Sequence, residues 1–180
     1  MRIIAGIAKG MVLAVPRGDE TRPTSDRVRE AIFSSLGARV VDADVLDLYA
    51  GTGALGLEAA SRGARSVVLV ERARQALESI AKNVAGFEKQ RGEKATIEVR
   101  RGEVLRELGR LDRQFNLIFA DPPYDVAAGP LLEAIGVLAP DGLLVLETSR
   151  RSVLGLGGLW QAEREAIYGD TRVSYLRIVR

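Results

Sequence analysis

Val45-Leu46-Asp47-Leu48-Tyr49-Ala50-Gly51-Thr52-Gly53-Ala54-Leu55-Gly56 is a short apolar run with one acid that breaks into a glycine-rich turn and continues as a helical stretch to Arg62. Gly51, Gly53 and Gly56 have G-x-G-x-x-G spacing, which lets a backbone turn tightly and approach a ligand at a helix N-terminus. Beyond Gly63, Ser66-Val67-Val68-Leu69-Val70 reads as a second strand ending in Glu71, 20 residues after Gly51. At that spacing an acid can accept hydrogen bonds from ribose hydroxyls. The glycine pattern alone is weak. Strand, loop, helix, strand and terminal acid in one unit indicate a nucleoside cofactor.

Two cofactor classes compete for this unit: nicotinamide or flavin dinucleotides, and S-adenosylmethionine. Asp47, four residues before Gly51, weighs toward the second. Its carboxylate would repel a pyrophosphate but can receive the ammonium of a methionine moiety.

Asp121-Pro122-Pro123-Tyr124 weighs the same way. It ends the apolar run Phe115-Asn116-Leu117-Ile118-Phe119-Ala120, which reads as a buried parallel strand. Two prolines hold φ near −65°, supply no N–H, and keep the residue before them out of the α region. The stiff turn lies where open α/β sheets bind ligands, beyond a strand's carboxyl end. An acceptor carboxylate, a rigid carbonyl and an aromatic ring suit a planar base bearing an amine. In isolation the same four residues could equally be a strand-ending turn with a surface tyrosine.

Alternation continues outward from these motifs. Strands are expected at 45–49, 66–70, 96–99, 115–120 and 143–147. Helices are expected at 54–62, 73–85, near 103–108 and near 130–138, and Pro140-Asp141-Gly142 reads as a turn. This pattern predicts an α/β fold, a parallel sheet with helices on both faces. Residues 164–168 and 173–179 flank Gly169-Asp170 as an antiparallel hairpin, and 152–158 is a glycine-rich loop. At the start, residues 2–7 and 11–15 read as a small β-hairpin. Pro23-Thr24-Ser25 then opens a helix carrying Val28, Ile32 and Leu36, stopped by Gly37. The expected division is an N-terminal extension, 1–22, and one domain, 23–180.

The chain of 180 residues is 47% apolar and 28% charged, ordinary for one globular domain. No long apolar run or signal-peptide pattern is visible, so a cytoplasmic protein is expected. There is no Cys and no His, which excludes disulfides and the common neutral metal ligand, and no metal is expected. Net charge is +2, and residues 1–30 hold six basic side chains against four acids. That segment is the place expected for phosphate contacts.

Taken together, these residues resemble the bacterial RsmD family, S-adenosylmethionine-dependent methyltransferases that modify guanine N2 in small-subunit ribosomal RNA. The likeness is carried by Arg2-Ile3-Ile4-Ala5-Gly6 with Lys9-Gly10, by Arg22-Pro23-Thr24-Ser25-Asp26-Arg27-Val28-Arg29-Glu30-Ala31, by 47–59, and by 121–124. The R-P-T-x-D-R-V-R-E stretch is the specific part. The resemblance implies a Rossmann-like class I methyltransferase with a seven-stranded sheet, acting on 16S rRNA as a monomer. It implies that Asp121 orients the guanine amine, Pro122 and Pro123 hold the turn, and Tyr124 stacks on the base.

The implied cofactor set is Asp47, Ala50, Gly51, Thr52 and Gly53 at the methionine end, Glu71 and Arg72 near the ribose, and Glu103 with Val104 at the adenine. Glu103 is one methylene longer than the Asp or Asn usual there. Arg2, Lys9, Arg22, Arg27 and Arg29 are the candidate RNA contacts, with Arg27 able to face the cofactor instead. The loops around Tyr124 and Ser152 are the alternative RNA surface. Two other functions stay open, another amino-methyltransferase acting on DNA adenine or a protein amide, and a ribosome-assembly binder without activity.

Overall fold

The computed structural model describes residues 1–16, 26–91, 96–123 and 126–179. Helix α1 (Asp26–Leu36) leads through a 3-10 turn, Gly37–Val40, into strand β1 (Asp44–Leu48). Gly37 has φ +53°, a conformation that a helix cannot continue. Then follow α2 (Ala54–Ser61), β2 (Ser66–Glu71), α3 (Arg74–Arg91), β3 (Thr96–Arg101), α4 (Val104–Leu108), β4 (Phe115–Ala120) and α5 (Ala128–Ala134). Strands β5 (Leu138–Ser149), β6 (Trp160–Tyr168) and β7 (Thr171–Ile178) complete the chain.

The seven strands form one sheet in the order β3-β2-β1-β4-β5-β7-β6. The first five in that order are parallel, and β7 runs antiparallel to both β5 and β6. Central strands are buried on both faces, which is why they read as unbroken apolar runs. Alternation along them divides the core in two. Val45, Val67, Leu69, Leu117, Phe119 and Val145 pack with residues of α1, α2 and α3. Leu46, Leu48, Val68, Val70, Ile118 and Leu144 pack with residues of α4 and α5.

The N-terminal hairpin is present in shortened form, with a single bridge between Arg2 and Val12. Ile3 and Leu13 N–H donate across the hairpin to the Met11 and Met1 carbonyls, and several N–H groups between them are taken by α2. Ile4 and Ala5 donate to the Glu58 carboxylate, and Ala8 donates to Ser61 Oγ. Ile3, Ala8, Met11 and Leu13 belong to the same core as α1 and α2. The segment lies flat on α2 and does not project. Gly6 marks the closest approach: at φ +82°, an added Cβ would stand 1.9 Å from the Ser61 carbonyl oxygen.

Several boundaries differ from expectation. Helix α3 runs to Arg91, and α5 starts and ends earlier than 130–138. Pro140-Asp141-Gly142 lies inside β5, not between elements. The β4 ladder jumps from Phe115↔Leu138 to Leu117↔Leu143, so these residues bulge from the pairing. Between β5 and β6, loop 150–159 crosses the face without a helix, and Leu154 and Leu156 pack against the second core cluster.

Candidate active site

Register brings the motifs together. Leu48 of β1 pairs with Val70 of β2 and with Ala120 of β4. Tyr49, Glu71 and Asp121 therefore leave three adjacent strands side by side. Strand order reverses between β1 and β4, the crevice where α/β sheets take ligands.

The loop after β1 has an unusual backbone. Tyr49, Gly51 and Gly53 have φ of 59°, 57° and 77°. For Tyr49, a residue with a Cβ, this costs ~1–2 kcal/mol, which the surrounding bonds must offset. Ala50 N–H donates to the Val70 carbonyl at 3.0 Å, and Gly53 N–H to the Ala50 carbonyl at 2.7 Å. A Cβ on Gly51 would have only the Tyr49 carbonyl within reach, at 4.0 Å, so the space above it is open to a ligand. Gly56 is different. A Cβ there would fall 2.4 Å from Leu69 Cδ2, so this glycine permits α2 to pack on β2.

Two acids hold the loop from either side. Glu71 Oε2 accepts from Gly51 N–H at 2.8 Å, and its Oε1 accepts from Arg72 and Ala73 N–H, both at 2.8 Å. The carboxylate is half-buried and fixed at the crevice mouth, and each oxygen has a further lone pair for a hydroxyl. Asp47 corrects a sequence expectation. It is 2% exposed, and its Oδ2 accepts from Gly56 N–H at 2.8 Å. The carboxylate is turned into the first turn of α2, whose N-cap, Gly53, has no side chain with which to cap. That oxygen, Oδ2, is taken up by the helix. Burial pushes Asp47 up to about 7, the Gly56 hydrogen bond opposes this, and the charges of Asp121 and Glu71 add to it.

At the next strand, Gly102 N–H donates to the Glu71 carbonyl. Glu103 is exposed and caps α4, its Oε2 accepting from Arg106 N–H at 3.1 Å. Val104 turns its side chain into the core. Tyr49 has a raised pKa, first through burial and then through the charge of Glu103, with Arg72 opposing. These three side chains therefore gather on one side of the loop. The loop's other side is held by Asn83 of α3, whose Nδ2 donates to the Thr52 and Ala14 carbonyls while its Oδ1 accepts from Ala14 N–H. Thr52 Oγ1 also donates to Met1 Sδ at 3.5 Å.

On the other side of the switch point, Asp121 is half-buried, Pro122 buried and Pro123 exposed. Val126 N–H donates to the Pro123 carbonyl at 2.9 Å. Tyr124 lies outside the described residues, as does Arg22.

The basic residues separate. Arg2 and Arg27 are exposed, and Lys9 is exposed in the turn clasped by Ser61, at the end of α2 farthest from the glycine loop. Arg29 corrects the sequence reading, because it is fully buried and offers no surface to RNA. It donates to the Arg2 carbonyl and to Asp26 at 2.9 Å, and its Nε lies 3.7 Å from Glu58. Glu58, equally buried, also takes Arg62 at 2.7 Å. This clamp joins α1, α2 and the N-terminal segment.

Sequence reasoning missed Asn83 and Glu58. Asn83 is a polar residue on an amphipathic helix, where pattern alone does not separate it from a solvated one, and Glu58 is the acid of the otherwise uncharged and fully buried α2. A crevice of about 560 Å³ at the opposite edge of the sheet is lined by Arg39, Asp42, Arg65, Asn116, Asp141 and Glu163, among others. Arg39 pairs there with Glu163, and Arg65 with Asp44. None of the motif residues reaches it. No described helix is long and apolar enough to cross a membrane.

A glycine loop after β1, an acid ending β2 and a reversed β7 define a Rossmann-like methyltransferase fold. Known proteins agree. A family model described as "Conserved hypothetical protein 95" matches residues 1–177, and the chain belongs to this family, the RsmD family. Ribosomal RNA small subunit methyltransferase D of Escherichia coli K12 is 35% identical over 94% of this chain and 86% of its own. Putative rRNA methyltransferase YlbH of Bacillus subtilis is 34% identical over 97% of each. The solved structure of a putative methyltransferase, yhhF, from Escherichia coli superposes with a TM-score of 0.83, at 34% identity over 98% of this chain and 96% of that one.

Proposed function

We propose that this protein transfers a methyl group from S-adenosylmethionine to the exocyclic N2 amine of a guanine in 16S ribosomal RNA. It would act as a cytoplasmic monomer on a partly or fully assembled small subunit. The observation that carries this reading is the placement of Asp121-Pro122-Pro123 one strand from the glycine loop, across the switch point. Relatives named as small-subunit rRNA methyltransferases support the substrate class.

The residues present fit the cofactor. Open space over Gly51 admits a ligand against the backbone, with Ala50, Thr52 and Gly53 completing that wall. Glu71 is set to accept ribose hydroxyls, Arg72 flanks it, and Glu103 with the first-turn N–H of Val104 would meet the adenine. Asp47 lies in the field of the Asp121 and Glu71 charges, and such a group of acids favours a cationic ligand. When bound, the cofactor supplies an electrophilic methyl group.

The chain's task is then placement and exclusion of water. Asp121 accepts an N–H of the guanine amine, aims the nitrogen lone pair at the methyl carbon, and takes the proton after transfer. Pro122 offers a carbonyl to the second N–H, Pro123 keeps the turn stiff, and Tyr124 stacks on the base. The guanine must leave its stack to enter. No strong base is needed before attack, because the alkylated nitrogen is far more acidic than the amine.

The test is transfer of labelled methyl to small subunits lacking the modification, followed by nucleoside analysis. N2-methylguanosine is expected. A different methylated nucleoside, or cofactor binding without transfer to any RNA, overturns the proposal.

A further inference from the structure

The carboxyl edge of the sheet carries a second built feature, and it lies on the target side. Ser149 ends β5 and pairs with Thr171 at the start of β7, so residues 149–152 meet the β6–β7 hairpin tip at that edge. Ala120, the residue before Asp121, pairs with Leu146 on the same β5. Neighbouring strands stand ~4.8 Å apart, so the turn after Ser149 emerges beside the Asp121-Pro122-Pro123 turn.

This turn is held with unusual thoroughness for an exposed one. Arg150 N–H donates to the Asp170 carbonyl at 2.7 Å, and Ser152 N–H to the Ser149 carbonyl at 2.9 Å. Arg151 N–H donates to Ser149 Oγ at 3.3 Å. From β7, Arg172 donates through Nη1 to the Ser152 carbonyl at 2.9 Å and through Nη2 to the Arg150 carbonyl at 3.2 Å. Five hydrogen bonds thus fix the backbone of three consecutive residues.

What this rigid backbone presents is two exposed guanidinium groups, on Arg150 and Arg151, followed by Val153 at 93% exposure. The exposed carboxylate at this corner is Asp170, against Arg150, Arg151 and the half-buried Arg172. A pair of guanidiniums carried on a fixed backbone suits bidentate contact with phosphate oxygens. An apolar side chain held in solvent beside it suits the face of a base left uncovered when its neighbour unstacks. Among the described residues of the N-terminal segment, Arg29 is buried, Lys9 sits at the far end of α2, and the exposed Arg2 and Arg27 are not adjacent in the chain.

The geometry points to residues 150–153 as the ledge that docks the RNA backbone flanking the target guanine, Arg150 and Arg151 on phosphates and Val153 against the adjoining base. This rests on the proposed rRNA substrate and assigns the surface that receives it. The ledge lets RNA cross the β4–β5 side of the crevice while the cofactor occupies the β1–β3 side. No contact with the cofactor is involved.

The test compares wild type, Arg150→Ala/Arg151→Ala and Arg150→Lys/Arg151→Lys, each confirmed folded by thermal melt. Binding to unmodified small subunits and to protein-free 16S rRNA is measured across a salt series, alongside S-adenosylmethionine affinity. In the double alanine variant RNA binding should weaken about tenfold, with a log–log salt slope smaller by ~1–2. Its KM for subunits should rise, its kcat at saturation should stay within about twofold, and its cofactor affinity should not change. The double lysine variant should keep the slope.

A double alanine variant with wild-type affinity and slope overturns the ledge. A loss seen with assembled subunits and absent with protein-free rRNA also overturns it, in favour of docking to a ribosomal protein. Wild-type protein that binds rRNA and leaves it unmethylated overturns the proposed reaction alone, since the ledge is still judged by the slopes.

Discussion

The two sides of the switch point are built differently. Over β1, β2 and β3, the polar groups around the glycine loop already have partners inside the protein. Asp47 is engaged by Gly56, Glu71 by three N–H groups, and the Thr52 carbonyl by Asn83. Over β4 and β5 the backbone is pinned by turns, and the side chains of Pro123, Arg150, Arg151 and Val153 face outward. A small cofactor of fixed shape can be met by a preset wall. A large RNA is better met by exposed groups on a stiff edge, with cost deferred until it docks. Changes on the cofactor side should therefore disturb stability and cofactor affinity, and changes on the target side should disturb rate and RNA binding.

Asp121→Ala should produce the largest effect and sharpen this division. Methyl transfer should fall by about two to four decades, ~3–5 kcal/mol in the barrier, because the reacting amine loses its orienting acceptor. Near-normal turnover would make the turn merely structural. Arg29→Ala comes next and touches only the cofactor side. It leaves Glu58 buried with Arg62 as its remaining ionic partner and loosens α2 behind the glycine loop. Chemical denaturation should report a loss of about 3–5 kcal/mol, and wild-type stability would mean the clamp is dispensable.

The contrast between these residues shows what was legible in the sequence. Spacing placed the glycine loop and the acid ending β2, and the central strands were legible because burial on two faces writes itself as apolar runs. Arg29 was grouped with RNA contacts because a charge on a helix usually faces solvent, and only three-dimensional packing brings Glu58 beside it. Asp47 was read as a ligand because its nearness to the loop is visible, whereas the direction of its carboxylate depends on how α2 docks. Tyr49 has a left-handed backbone that no residue preference forecasts. Pro140-Asp141-Gly142 has turn composition, and the fold uses it as a bulge inside a strand.

Glu71→Ala should cost ~1.5–3 kcal/mol in cofactor affinity, the scale for hydrogen bonds to a charged acceptor. Calorimetry showing unchanged affinity in a folded variant would remove Glu71 from the site. The smallest effect concerns Asp47, which burial raises from 3.8 to about 7. The folded chain holds this proton at pH values where the unfolded chain has released it. Its contribution to stability is therefore full below about pH 4 and lost as pH rises through about 7. A cationic cofactor favours the ionised form, so S-adenosylmethionine affinity should rise with pH toward about 7, by less than tenfold per unit. Asp47→Asn keeps an acceptor for Gly56 and should flatten both profiles, and wild-type affinity that is flat over this range would exclude the linkage.

The division between a preset cofactor wall and a substrate-facing target edge is tested most directly by single-turnover methyl transfer to unmodified small subunits. Wild type, Glu71→Ala and Asp121→Ala would each be measured as S-adenosylmethionine is raised to saturation. Saturation should bring Glu71→Ala close to the wild-type rate and leave Asp121→Ala slower by about two or more decades. Recovery of Asp121→Ala at high cofactor, or a Glu71→Ala rate that stays equally low, would contradict the account.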